Sequence, residues 1–210
     1  GPQSAAMLAP YEGSDEKGLL TISREEVLAL GVKAQTAAWP LTIHAIGDAA
    51  NHEVIEGYRL LRAYESQNSL PHLPHRIEHV QCITPEDQAA MKELGIIASV
   101  QPTHATSDMF TAEKRWGDRC AYAYAYRDLL ELGIPNVYGS DAPVESANPF
   151  LGIHAAVTRR KASGEPNAQG WYPSQKLSLM QALDGFGVNA NRVGGFEDAL
   201  GLEEGNAANL

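Results

Sequence analysis

The chain has 210 residues, 44% of them apolar, enough to bury a sizeable core in one domain or two small ones. Its formal charge of −10, with 16 Lys and Arg scattered among 26 acids, argues against a nucleic-acid partner and gives no attraction to an anionic membrane. No apolar run approaches the roughly 20 residues needed to cross a bilayer, and Cys82 and Cys120 follow no metal or redox spacing, so they read as buried free thiols in a reducing, cytoplasmic setting.

In chain order, residues 1–20 are Gly, Pro and Ser with an acidic patch and no periodicity, and predict a loop. Ser23 and Glu26 form a capping box that opens a helix with Val27, Leu30 and Ala34 on one stripe and Gly31 as its weak point. A strand over Leu41 to His44 follows, then a helical stretch carrying Val54, Ile55, Tyr58 and Leu61, then a strand over Arg76 to Val80. Thr84-Pro85-Glu86-Asp87 is an N-cap, a Pro at the first helical position and acids in the first turn, with Gly95 closing that helix before a strand over Ile96 to Val100. Arg119 to Leu132 predicts a helix ended by Gly133, and Asn136 to Gly139 a short strand. Then come a helix from Pro149 to Arg160, a long loop to Lys176, and a helix opened by the Ser178/Gln181 box that runs to Asn189. Strands alternating with helices imply a parallel sheet with helices outside it, an α/β fold; four strand runs are present where a closed (β/α) barrel needs eight.

Three of these strand runs end in a residue able to bind a metal: His44, His79 and Asp141. Their separations are close to one and two strand-plus-helix units, and in a (β/α) barrel the C-terminal strand ends converge on one rim. A lone His at a strand end is usually structural or solvated, but three strand-terminal ligands at unit spacing read as one site. Imidazole and carboxylate together suit a divalent metal and a metal-activated water.

The segments His44-Ala45-Ile46-Gly47-Asp48, His75-Arg76-Ile77-Glu78-His79, Ser99-Val100-Gln101-Pro102-Thr103-His104 and Gly139-Ser140-Asp141-Ala142-Pro143-Val144-Glu145 together resemble the amidohydrolase superfamily of metal-dependent hydrolases, in the branch that contains N-substituted formamide deformylase. The resemblance implies a barrel of TIM type represented by strands 5 to 8, with residues 1–200 as a partial barrel and 201–210 as the start of a truncated β-sandwich segment. It makes His44 the metal ligand of strand 5, His79 that of strand 6, and Asp141 the strand 8 carboxylate that touches the metal and serves as general base. It sets His104 and Arg119 on the substrate side. The plain readings are a polar loop residue for His104 and a solvated helix-start residue for Arg119. His52, His72, His75 and His154 match no ligand position and are expected at the surface or in supporting roles.

The implied cofactor is one or two divalent metals, zinc first, and the implied substrate a small amide, formamide or cyclic amide cleaved at its C–N bond. The family's His-x-His pair of strand 1 and its strand 4 ligand have no counterpart in this sequence. The expected object is therefore the second half of a barrel enzyme, forming a homo-oligomer through open sheet edges and an inner apolar face that includes Ile43, Ile77 and Val100. The alternative from another class is a non-catalytic, self-associating fragment.

Overall fold

The computed structural model describes residues 1–196 and Glu204; most of the expected β-sandwich segment, 201–210, lies outside the described residues. Helix α1 (Arg24–Gln35) starts at Ser23 with both halves of its capping box formed. It runs unbroken through Gly31, where a Cβ would collide with the Leu61 side chain of the next helix; the glycine permits close helix packing rather than ending the helix. Strand β1 (Thr42–Ala45) leads through Gly47 into α2 (Asp48–Gln67), β2 (Arg76–His79) into α3 (Pro85–Glu93), and β3 (Ile97–Val100) into α4 (Pro102–Ser107) and α5 (Met109–Trp116). After α6 (Tyr126–Glu131) and β4 (Asn136–Tyr138) come α7 (Pro149–Thr158), α8 (Leu179–Phe186) and α9 (Val188–Val193).

The four strands are parallel in the order β1-β2-β3-β4, so each joins its sequence neighbour through a helical crossover. This is an arc of a (β/α) barrel, the fold class the alternation of elements predicts. Two helical expectations need correction. The stretch from Arg119 to Leu132 is a 3₁₀ turn over Gly117–Tyr122, an extended link and then α6, because Ala123 pairs with Cys82 across an isolated bridge that a continuous helix would not allow. The last helix breaks at Gly187 into α8 and α9 instead of continuing. Tyr124 and Tyr126, expected on that continuous helix, are instead buried on either side of its break, their rings edge to face at 6.4 Å.

The expectation of an exposed inner apolar face also fails. Ile43, Ile77 and Val100 are buried. Registered neighbours in a parallel sheet share a face, and Ile43, Ile77, Ala98 and Asn136 form one buried row, the side the crossover helices cover. The opposite row, His44, Glu78 and Ser99, is the open and polar side. Cys82 and Cys120 are free and buried, as expected, and no helix among the described residues is long and apolar enough to span a membrane.

Residues 1–20 form an ordered loop laid over the β1–α2 turn. The Ala6 carbonyl accepts from the first amides of α2, Ala49 and Ala50, and Leu8 donates to Asp48 Oδ1 at 2.7 Å. The chain can pass this closely because residue 47 is glycine: a Cβ there would overlap the Ala6 carbonyl oxygen. The loop thereby satisfies helix-start amides that would otherwise lack partners beside the His44 strand end.

Candidate metal centre

His44, at the open side of β1, and His79, at the end of β2, meet edge to face with ring centroids 4.4 Å apart. Strand alternation would place His79 in the buried row with Ile77. The backbone instead turns left-handed at His79 (φ 80°) and Val80 (φ 47°), which swings the imidazole round to meet His44. Asp141 is left-handed as well, at φ 59°. Non-glycine residues held there carry strain, and two of the three expected ligands do so.

His104, from α4, completes the cluster. Its ring lies 5.7 Å from that of His79, its Nε2 is 3.3 Å from Asp141 Oδ2, and its Nδ1 is 3.6 Å from Glu145 Oε1. Ser107 Oγ donates to the same Glu145 oxygen at 2.6 Å. One ligand atom each from His79, His104 and Asp141 falls within 4.8 Å of the others, a spacing suited to a single cation. Burial, the nearby His44 and His104 opposed by Asp141, holds the His79 pKa down at about 4, so its imidazole is neutral and a lone pair is available at neutral pH. His79 Nδ1 is buried with no hydrogen-bond partner among the described residues. A buried ring nitrogen without a partner and a carboxylate beside imidazoles fit a divalent cation.

A cavity of about 300 Å³ opens over this cluster, lined also by Gln81, Asp108 and Glu145. Arg119 does not line it. Its guanidinium is spent on the Ala9 and Pro10 carbonyls, each at 2.8 Å, and pins the N-terminal loop. The structure therefore brings together four of the five expected site residues and sets Arg119 apart. His75 is also displaced from any surface role: it is buried, accepting from the Leu41 amide at Nδ1 and facing Glu65 Oε1 through Nε2 at 3.0 Å. Glu145 belongs to the sequence motif that carries Asp141, and Gln81 follows His79 by two residues; that adjacency is the signal for their place in the cavity, while Asp108 offers none, since the helices on either side of it are not among the expected elements.

A parallel β/α sheet with His and Asp side chains gathered at its C-terminal strand ends is an arc of a barrel bearing a candidate metal site. The model of the amidohydrolase family matches residues 1–210, and the chain belongs to that family. It is 30% identical over 204 residues to Protein LONG AFTER FAR-RED 3 of Arabidopsis thaliana, covering 96% of this chain and 34% of that protein. It is 25% identical over 191 residues to N-substituted formamide deformylase of Arthrobacter pascens, covering 90% of this chain and 34% of that one. The crystal structure of an uncharacterized metal-dependent hydrolase from Pyrococcus horikoshii superposes with a TM-score of 0.84 at 28% identity, over 98% of this chain and 40% of that chain. The chain thus spans about a third of the length of the curated relatives it matches.

Proposed function

We propose that this chain carries the strand 5 to 8 side of a metal-dependent hydrolase centre acting on C–N bonds of small amides, formamides or cyclic amides. The observation that carries the reading is the convergence of His44, His79, His104 and Asp141 on one cavity, with His79 Nδ1 buried and unpartnered. His44, His79 and Asp141 are the residues assigned to hold the metal, as the family resemblance implies, while the ligand atoms within 4.8 Å of one another are those of His79, His104 and Asp141. His104 Nε2 lies 3.3 Å from Asp141 Oδ2, which suits it to donate one hydrogen bond there and steady Asp141 on the substrate side.

A divalent cation here, zinc first, supplies a Lewis acid for the scissile carbonyl and brings the pKa of water to about 7. Asp141 takes the proton from the attacking water and returns it to the departing nitrogen; its carboxylate is partly open to the cavity and has the basic oxygen this needs. Resemblance to N-substituted formamide deformylase supports the amide class of substrate.

The test is to join the chain to the strand 1 to 4 half that the proposed centre requires, strip the protein with a chelator, restore zinc, manganese or iron separately, and assay a panel of linear amides, formamides and cyclic amides. Hydrolysis that vanishes on stripping and returns with one metal supports the proposal. A metal-loaded protein that hydrolyses none of the panel overturns it and favours the second reading, a self-associating chain without activity. Exposed Leu19, Trp39 and Phe150, each about 70% accessible, are the observation that favours self-association in either case.

A further inference from the structure

Beside the metal cluster, the cavity wall holds a polar group that the hydrolytic reading does not use. Gln81 is 2% exposed and lines the cavity together with Asp108. Its Nε2 donates to Asp108 Oδ2 at 3.1 Å and to the Tyr124 hydroxyl at 3.1 Å, while that hydroxyl donates its one proton to Asp108 Oδ2 at 3.0 Å. An ionised carboxylate only accepts, so Asp108 fixes which end of the Gln81 amide faces it: the nitrogen. The amide oxygen, Oε1, is left buried with no partner among the described residues. Tyr124, fully buried and stacked on Trp116 at 6.0 Å, holds the far corner of this triangle rigid.

Charge points the same way. The carboxylates of Asp108, Asp141 and Glu145 line the cavity with no Lys or Arg among the lining residues. Gly1, with its α-amino group, also lines the cavity, so Asp108, the carboxylate hydrogen-bonded to Gln81, and not the cavity's net charge, sets the local preference. Resting on the amide-hydrolase reading above, we infer that Gln81 and Asp108 form a substrate subsite for a nitrogen donor: a cationic ammonium, or failing that an amide N–H, on the part of the substrate next to the scissile carbonyl. Gln81 Oε1 accepts one N–H there and the Asp108 carboxylate supplies the opposing charge. Substrates carrying a carboxylate at that position are refused because they would meet Asp108 and an oxygen with no proton to give.

The experiment reads binding, not turnover, so that it can fail separately from the hydrolase proposal. Glycinamide, propionamide and succinamate are small amides of cationic, neutral and anionic charge, and their dissociation constants can be measured by titration calorimetry on metal-stripped protein at pH 7. The expected order is glycinamide tightest and succinamate weakest, with about tenfold between them. Asp108→Asn should cut that ratio to about twofold. Gln81→Met should weaken glycinamide and propionamide alike by severalfold and preserve the charge order. If Asp108→Asn does not fold, the wild-type order and Gln81→Met decide. Succinamate binding best, a folded Asp108→Asn that keeps the full ratio, or glycinamide and propionamide binding unweakened in Gln81→Met overturns the subsite. Hydrolysis failing while the order holds overturns only the hydrolase reading.

Discussion

Replacing Asp141 by Asn isolates the proton-accepting role, because the structure makes Asn an unusually clean substitution there. Asp141 sits at φ 59°, a left-handed conformation that Asn tolerates and that Ala would hold at a cost of about 1–2 kcal/mol. Asn nearly matches the volume of Asp and its Oδ1 can still accept from His104 Nε2, now 3.3 Å from Oδ2. Only the negative charge and the basic oxygen disappear. Loss of a general base lowers kcat by about 10² to 10⁴, or roughly 3–5 kcal/mol in the barrier. The same reasoning selects His79→Asn as its partner, since His79 is left-handed at φ 80° and Asn fits that backbone too. His79→Asn should deplete the metal, whereas Asp141→Asn should retain most of it. The assay is kcat on an amide substrate beside metal content measured by plasma emission on the same samples. Near-normal turnover in Asp141→Asn with metal in place would remove Asp141 from the proton transfer and reduce it to a residue of the β4 turn.

Glu65→Leu should destabilise the fold by about 3 kcal/mol, because Glu65 is fully buried and accepts from Arg62 Nη1 at 2.8 Å and His75 Nε2 at 3.0 Å, and the change removes that partner from both and the carboxylate that balances the Arg62 charge; urea unfolding measures it. Stability should also fall on mild acidification. Burial holds the His75 pKa below its ordinary value, against the opposing pull of Glu65, and its Nδ1 lone pair accepts from the Leu41 amide while Tyr58, Arg62 and His72 surround it. The unfolded chain therefore binds the extra proton first, and the His75 contribution, complete above about pH 6.5, declines as pH falls toward its lowered native pKa. Urea midpoints measured from pH 7.5 downward should fall over that interval, and His75→Gln should flatten the slope. Finally, sedimentation velocity at micromolar concentration should show a dimer or larger assembly, given exposed Trp39, Phe150 and Leu19; a stable monomer would refute that expectation.

The alternation of elements and three of the site residues were legible because they depend on local chemistry: capping boxes at Ser23 and Ser178 formed as their side chains require, and β-prone runs ended where ligands stood. What escaped depends on long-range geometry. Arg119 looks like a helix-start cation in sequence, but its partners are backbone carbonyls of residues 9 and 10, which no local pattern can reveal. His75 looks like a loop histidine, yet it joins β1 to α2 through Leu41 and Glu65. The exposed inner apolar face was a sign error of the same origin: period-two patterning shows that Ile43 and Ile77 share a face, while only the placement of the crossover helices says which face is covered.

The left-handed turns at His79 and Asp141 decide the site in the same way. Sequence puts His79 two residues after Ile77 and so on the buried side, and a regular strand would have kept it there, away from His44. The His79–His44 contact exists because the backbone leaves the strand conformation at His79 itself, and the cost is sustained by a scaffold that is buried on both sides of the turn: Ile77, Val80 and Cys82 are all fully enclosed. Local strain concentrated at ligands, surrounded by side chains packed too well to relax it, is the signature of a site held ready before its ligand arrives. It also explains why Gln81, next along from that turn, can be fixed with an open acceptor: the same rigid segment aims both residues at one cavity.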